Sequence, residues 1–197
     1  MPNPTLVTAP AHLPITMREA KDHLRLEQDD LTADAELWAK IQAATSVAEN
    51  EAARRFVTQT ISWSTDDFPA GDYITLPGGQ LRSITSLTYT DSAGTATAWA
   101  STNYFASTTH EPGRLHLAYG IQWPSVTLKP ADGIVVQYVV GYGTAADMPP
   151  AIRAAILLIL GDLWENREDQ VIGQGFVNFS LPRGAVALLA PYRIYYL

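Results

Sequence analysis

The sequence predicts an α+β chain, and three observations carry that prediction. Apolar residues recur at spacings of three and four along 32–56 and again along 149–168, the period of helices with one buried face. Between them, over 58–142, Thr, Val, Ile, Tyr and Trp gather in short runs separated by turn residues, which is the texture of antiparallel strands. Proline- or glycine-bearing stretches lie at both ends, 1–14 and 171–197. The expected architecture is a helical bundle on two long helices, with an inserted small antiparallel β-module at 58–142. An N-terminal arm at 1–14 and an extended C-terminal segment at 171–197 complete a single domain of 197 residues.

The elements follow in order. Residues 1–14, rich in proline, read as an extended arm. Thr16 and Glu19 form a T-x-x-E capping box that starts a short helix through about Arg25, with Met17, Ala20 and Leu24 inward. The acidic stretch Glu27 to Asp30 interrupts it. Thr32 or Asp34 then caps a longer helix to about Phe56, with Leu37, Ile41, Ala44, Ala48, Ala52 and Phe56 in one stripe and Trp38 and Val47 beside it. Small alanines in that stripe let a second helix come close. Strands are expected at 61–68, 72–77, 83–91, 113–119 and 134–142, divided by turn signals such as 91–94 and 130–133. Ile84, Leu87 and Tyr89 break strict alternation, the mark of a bulge or of two-sided burial. Pro149 and Pro150 suit a helix's first turn, and Asp147 is placed to cap or complement it. Ile152, Ile156, Ile159, Leu160 and Leu163 share a face expected to pack on the 32–56 helix. Leu157, Leu158 and Trp164 widen the apolar arc, so more than one side of this helix should be covered. After a glycine-bearing link at 172–176, the segment FVNFSLP reads as extended and a short apolar helix runs from about Arg183 to Leu189.

Bulk chemistry narrows the function. The charged fraction, 17%, is below the roughly 25% of ordinary soluble domains, which fits a surface partly covered by partners. A net charge of −7 without any basic run argues against a nucleic-acid-binding surface. With no cysteine there is no disulfide, thiol nucleophile or thiolate metal site. His12, His23, His110 and His116 share no metal-ligand spacing, and neither a nucleophile elbow nor a phosphate loop is present. Asp29-Asp30 and Asp66-Asp67 match no calcium loop. No cofactor or metal is expected. The apolar run between Arg153 and Asp162 is far shorter than the ~20 residues of a membrane span. The first residues lack a basic start and an apolar h-region, so synthesis and assembly in the cytoplasm are expected. Trp63, Trp99, Trp123, Tyr104 and Tyr119 all fall in the β-module, where they either fill a core or form a row for sugar or protein.

The order of motifs resembles the head–tail connector (adaptor) proteins of long-tailed DNA bacteriophages and phage-derived gene-transfer particles. The matching pieces are ITMREAKDHLRLEQDD, AARRFVTQT, the F-P of DDFP, and YITLPGGQLRSITSLTYTDSAG. VVQYVVGYG, MPPAIRAAILLILGDLWENRE and LLAPYR complete the set, which spans most of 15–193. Two departures stand out: glycines in YITLPGG where relatives often carry a more apolar or basic loop, and an IYYL tail that extends beyond the pattern. The resemblance implies a structural protein without enzymatic activity. It implies a homo-oligomeric ring, typically of twelve copies, under the portal protein, which extends the DNA channel and receives the next neck (stopper) protein. Double-stranded DNA would pass through without specific binding, and no membrane is involved. A terminal segment of such connectors is expected to insert into the portal. The candidate interface residues are therefore Trp164, Glu165, Arg167 and Glu168 at the end of the second long helix, where the charges form either a solvated turn or an intersubunit ion-pair site. Phe176, Phe179, Arg183, Tyr192, Arg193, Tyr195, Tyr196 and Leu197 join them, because a tail this apolar must dock on a partner or on its own helices.

Overall fold

The structure, a computed structural model, describes residues 4–166 and 181–195. The chain divides into two compact units: a β unit of Met1–Ala11 and Arg54–Tyr142, and a helical unit of His12–Ala53 and Gly143–Leu197.

In the helical unit the capping box forms as expected. Thr16 Oγ1 accepts the Glu19 backbone N–H at 3.2 Å, and Glu19 Oε2 accepts that of Thr16 at 2.9 Å. Helix α1 (Met17–Leu24) follows and ends on Arg25, whose φ of +57° turns the chain out of the helix. Helix α2 (Asp34–Ala52) buries Leu37, Ile41, Ala44, Ala48 and Ala52 completely, one residue per turn along a single face. Helix α3 (Pro150–Glu165) packs on it, burying Ile152, Ile156, Ile159 and Leu160. Helix α4 (Arg183–Leu189) lies against α3 and continues into a 3₁₀ turn, Ala190–Tyr192.

Several expectations change here. The bundle of long helices does not form; the four α-helices among the described residues have 8, 19, 16 and 7 residues. Helix α2 stops before Phe56 because Ala53 takes a left-handed φ of +52° and its N–H turns back to the Asn50 carbonyl at 3.2 Å. Helix α3 stops at Glu165, where the N–H of Asn166 closes on the Asp162 carbonyl. Neither Thr32 nor Asp34 supplies an N-terminal cap for α2, whose capping position is Ala33. Asp147 does not cap α3: its Oδ2 accepts the Thr144 N–H and hydroxyl at 2.7 and 2.8 Å and closes a 3₁₀ turn, Ala145–Asp147. Helix α4 spans the residues expected, Arg183–Leu189, and Trp38, beside the α2 stripe, is half exposed. The glycine-bearing link and the FVNFS stretch lie outside the described residues.

The β unit contains two antiparallel sheets. Five strands stand in the order β1 (Thr5–Thr8), β2 (Gln59–Thr65), β8 (Ile134–Val140), β4 (Leu81–Thr90) and β5 (Ala96–Trp99). Three more stand in the order β3 (Tyr73–Leu76), β7 (Gly113–Leu117) and β6 (Tyr104–Ser107). The N-terminal stretch thus supplies an edge strand at 5–8. Strand β8 is central and shows why the alternation was readable: Ile134, Val136, Tyr138 and Val140 are all fully buried, with half-buried residues between them. These side chains and Ile61, Leu81 and Leu87 meet Ile74, Leu76 and Leu115 of the smaller sheet in one core. Strand β4 has two register shifts, at Leu81/Ser83 and Ile84/Ser86, where strict alternation fails. Two glycines are required by space: a Cβ on Gly113 would stand 2.2 Å from Leu81 Cβ, and one on Gly141, already at φ +112°, 2.6 Å from the Val57 carbonyl.

Candidate functional site: assembly surfaces

The described candidate interface residues lie on two parts of the helical unit. At the end of α3, Trp164 is half-buried and Glu165 is exposed. The carbonyl of Leu163, one residue earlier, accepts the Lys40 ammonium from α2. Arg183 is exposed at the first position of α4. The closing residues are partly tied to their own helices. The Ile194 N–H donates to the Ala52 carbonyl at 3.0 Å, and the Ile194 side chain is buried. Arg193 pairs with Glu51 at 2.9 Å and also lies over the Tyr195 ring, 5.5 Å from its centroid. Tyr192 is half-buried and Tyr195 is 71% exposed. The structure therefore gathers Tyr192, Arg193 and Tyr195 near the end of α2. Arg167, Glu168, Phe176, Phe179, Tyr196 and Leu197 lie outside the described residues.

Charged groups that the sequence did not single out hold this unit together. Glu19 completes the capping box with one oxygen and pairs with Arg153 of α3 through the other. Lys21, only 3% exposed, stands 2.7 Å from Asp34 and donates to the Asp30 and Gln28 carbonyls at 2.7 and 3.2 Å. The Lys21–Asp34 contact is an ion pair rather than an aligned hydrogen bond, since Asp34 Oδ1 has no hydrogen-bond donor. The acidic pairs are tied to backbone. Asp30 accepts the Thr32 hydroxyl and N–H at 2.7 and 2.9 Å, which hold its carboxyl below the usual carboxylate range. Asp66 accepts the Asp132 N–H at 2.8 Å. Among the described residues, no group of three or more His, Asp or Glu is placed to hold a metal ion.

In the β unit most rings turn inward. Trp123 stacks on Phe68 at 5.1 Å and meets Trp99 at 5.4 Å, and Trp99 stacks on Tyr104 at 5.9 Å. Burial pushes the Tyr104 phenol above its ordinary pKa, against a backbone hydrogen bond with Leu87 that lowers it. Trp63 is buried and its Nε1–H finds no partner. Of the named aromatics, Tyr119 alone is fully exposed. A different row faces outward across the smaller sheet. Tyr73, His116 and Phe105 stand opposite one another on three neighbouring strands, with centroids 5.1 and 5.6 Å apart, and Arg114 lies 4.6 Å from the Tyr73 centroid. The sequence hid this row because β6 carries no readable period. Beside β3 a groove of about 540 Å³ is lined by Trp63, Thr65, Asp67, Phe68, Tyr73 and Thr75, among others. At the start of the unit Arg54, 5% exposed, pairs with Glu111 at 2.7 Å and lies over the Tyr142 ring.

Among the described residues the arrangement offers surfaces and ties between elements rather than converging reactive groups. The fold is one found in particle necks. The chain is similar to one in the neck of an empty gene transfer agent (GTA) particle computed with C6 symmetry, with a TM-score of 0.78 and 23% identity over 99% of this chain and 97% of that one. It is also similar to a chain in the virion of a native GTA particle (TM-score 0.77, 24% identity, 98% and 96% covered). A third likeness is to a chain in the neck of a native GTA particle computed with C12 symmetry (TM-score 0.76, 22% identity, 99% and 97% covered). No protein-family profile and no curated protein sequence matches.

Proposed function

We propose that this chain is a structural virion protein, a head–tail connector (adaptor) that forms a ring beneath the portal of a phage or gene-transfer particle. The ring, of twelve copies, extends the DNA channel and joins the capsid to the next neck (stopper) protein. The observation that carries this reading is the likeness to GTA neck chains over nearly the whole length of both partners, one of them in a neck computed with C12 symmetry. The low charge fraction and the net charge of −7 agree with a channel that DNA slides through without specific binding. No helix among the described residues is long and apolar enough to cross a membrane. In this reading the protein has no enzymatic activity, assembles in the bacterial cytoplasm and resides at the head–tail junction.

The test is to image the purified chain alone and mixed with portal rings. Twelve-fold density seated on the portal is expected; a monomer that never binds portal overturns the proposal. The C-terminal docking idea needs a truncation that spares the core. Removing 190–197 takes Ile194 away from α2, whereas removing only 195–197 leaves Ile194 and the Arg193–Glu51 pair in place. The shorter deletion is expected to leave the melting temperature unchanged and to weaken portal attachment. Full portal binding by that variant assigns docking to another segment.

A further inference from the structure

Strand β3 has one free edge. It is the outer strand of the smaller sheet and, among the described residues, pairs only with β7. The Leu117 N–H donates to the Asp72 carbonyl at 2.9 Å, so Asp72 and Leu117 form a hydrogen-bonded pair of this ladder. Antiparallel pairs alternate, which makes Tyr73/His116 and Thr75/Arg114 the non-bonded pairs. The backbone N–H and C=O of Tyr73 and Thr75 therefore point away from β7. The groove of about 540 Å³ borders the strand at these residues, with Trp63 and Phe68 among its walls. An unpaired strand edge beside an aromatic-walled groove is the arrangement that takes up an added strand: main-chain bonds hold it, and alternate side chains enter pockets on the two faces.

The same unit carries a strand in need of a second partner. Strand β1 is also an edge, paired among the described residues only with β2, and all four of its residues are exposed, Leu6 at 57% and Val7 at 49%. None of its residues is buried in its own chain. Its sequence, TLVT, brings no charge into a groove that already contains Asp67. Leu6 and Val7 point to opposite faces. On β3 one of them would meet Trp63 and Phe68 and the other Tyr73.

We infer that the Thr5–Thr8 strand of a second copy adds to the free edge of β3, joining neighbours into one continuous sheet. This rests on the reading of the chain as a ring-former, because a contact between two different surfaces repeats around a ring. The chain contains no cysteine, which makes cross-linking clean. Thr75→Cys is combined with Leu6→Cys in one variant and with Val7→Cys in another, since facing strand residues lie within disulfide reach. Oxidation of one of these variants is expected to give a ladder of covalent multimers that collapses on reduction, while single-cysteine controls stop at dimers. Thr75→Pro, which removes an edge N–H, should keep the monomer's melting temperature and lose the assembled species. An assembled chain that gives no ladder and tolerates Thr75→Pro overturns the inference and leaves the ring reading standing. A chain that assembles neither alone nor on portal overturns both.

Discussion

In the helical unit, Lys21 is buried beside Asp34 and two carbonyls, Glu19 reaches Arg153, and Lys40 reaches the end of α3. In the β unit most of the equivalent links are rings, beside the Arg54–Glu111 pair and one phenol: Phe68, Trp123 and Trp99 stack in series, and the Tyr138 hydroxyl, deep in the core, donates to the Pro77 carbonyl at 2.6 Å. The contrast follows from geometry. Helices satisfy their own backbones, so elements far apart in sequence are joined by side chains reaching carbonyls or opposite charges at helix ends. Sheets join their elements through the backbone and leave side chains free to fill volume. The difference teaches where each unit is vulnerable: the helical unit chiefly to changes that strand a charge, the β unit, apart from the Arg54–Glu111 pair, to changes in shape.

The most damaging change tests the helical side. Ile156→Asp places a charge among fully buried neighbours on α3 without a partner, and should cost about 3–5 kcal/mol, a large part of a typical domain's stability. Urea denaturation followed by far-UV circular dichroism measures it. Unchanged stability would mean that α3 does not bury this face. Next comes Lys21→Ala, which leaves Asp34 and the Asp30 and Gln28 carbonyls without their cation. A loss of about 2 kcal/mol is expected, because the buried ammonium takes its charged hydrogen bonds to two carbonyls with it, while Asp34, 32% exposed, keeps access to water. If the loss is no larger than for an exposed lysine, the charge links are not what holds this unit. Tyr138→Phe probes the β side with shape conserved. It deletes only the hydroxyl, leaves the Pro77 carbonyl without that donor, and should cost about 1 kcal/mol. A loss as large as that of Lys21→Ala would erase the contrast between the units.

The same contrast explains what could be read from sequence. The stripe from Leu37 to Ala52, the face from Ile152 to Leu160, the capping box at Thr16 and Glu19, and the alternation of β8 are local periods, and all appear as expected. Strands β1, β5 and β6 were not anticipated because their four residues, unlike those of β3 with Ile74 and Leu76 inward, carry no alternation of buried positions; their identity comes from the strands beside them. Phe56 continues the spacing of the α2 stripe, yet the left-handed turn at Ala53 carries it out of the helix. Glu19 and Arg153 are 134 positions apart, so no local pattern joins them. Of the candidate interface, the aromatic and arginine content of the tail was visible; the anchoring of Ile194 to Ala52 was not.

The smallest effect is a pH dependence confined to the acidic turn between α1 and α2. Asp30 is held below the usual carboxylate range first by the Thr32 hydroxyl, then by the Thr32 N–H, with Lys21 adding a favourable charge. A carboxyl whose folded pKa is depressed contributes stability that is fully present above its unfolded value, about 4, and is lost as pH falls through the folded value. Asp30→Asn keeps an acceptor oxygen but cannot titrate. The stability gap between the parent and this variant should therefore be constant from neutral pH down to about 5 and close below about 4. Thermal melts of both proteins at stepped pH measure that gap, and high salt should leave most of it, since the two Thr32 bonds dominate over the longer-range pull of Lys21. A gap that widens on acidification would reverse the sign. It would mean that the charge of Asp30 is a burden on the turn, and that this unit's acids are tolerated at its surface rather than used there.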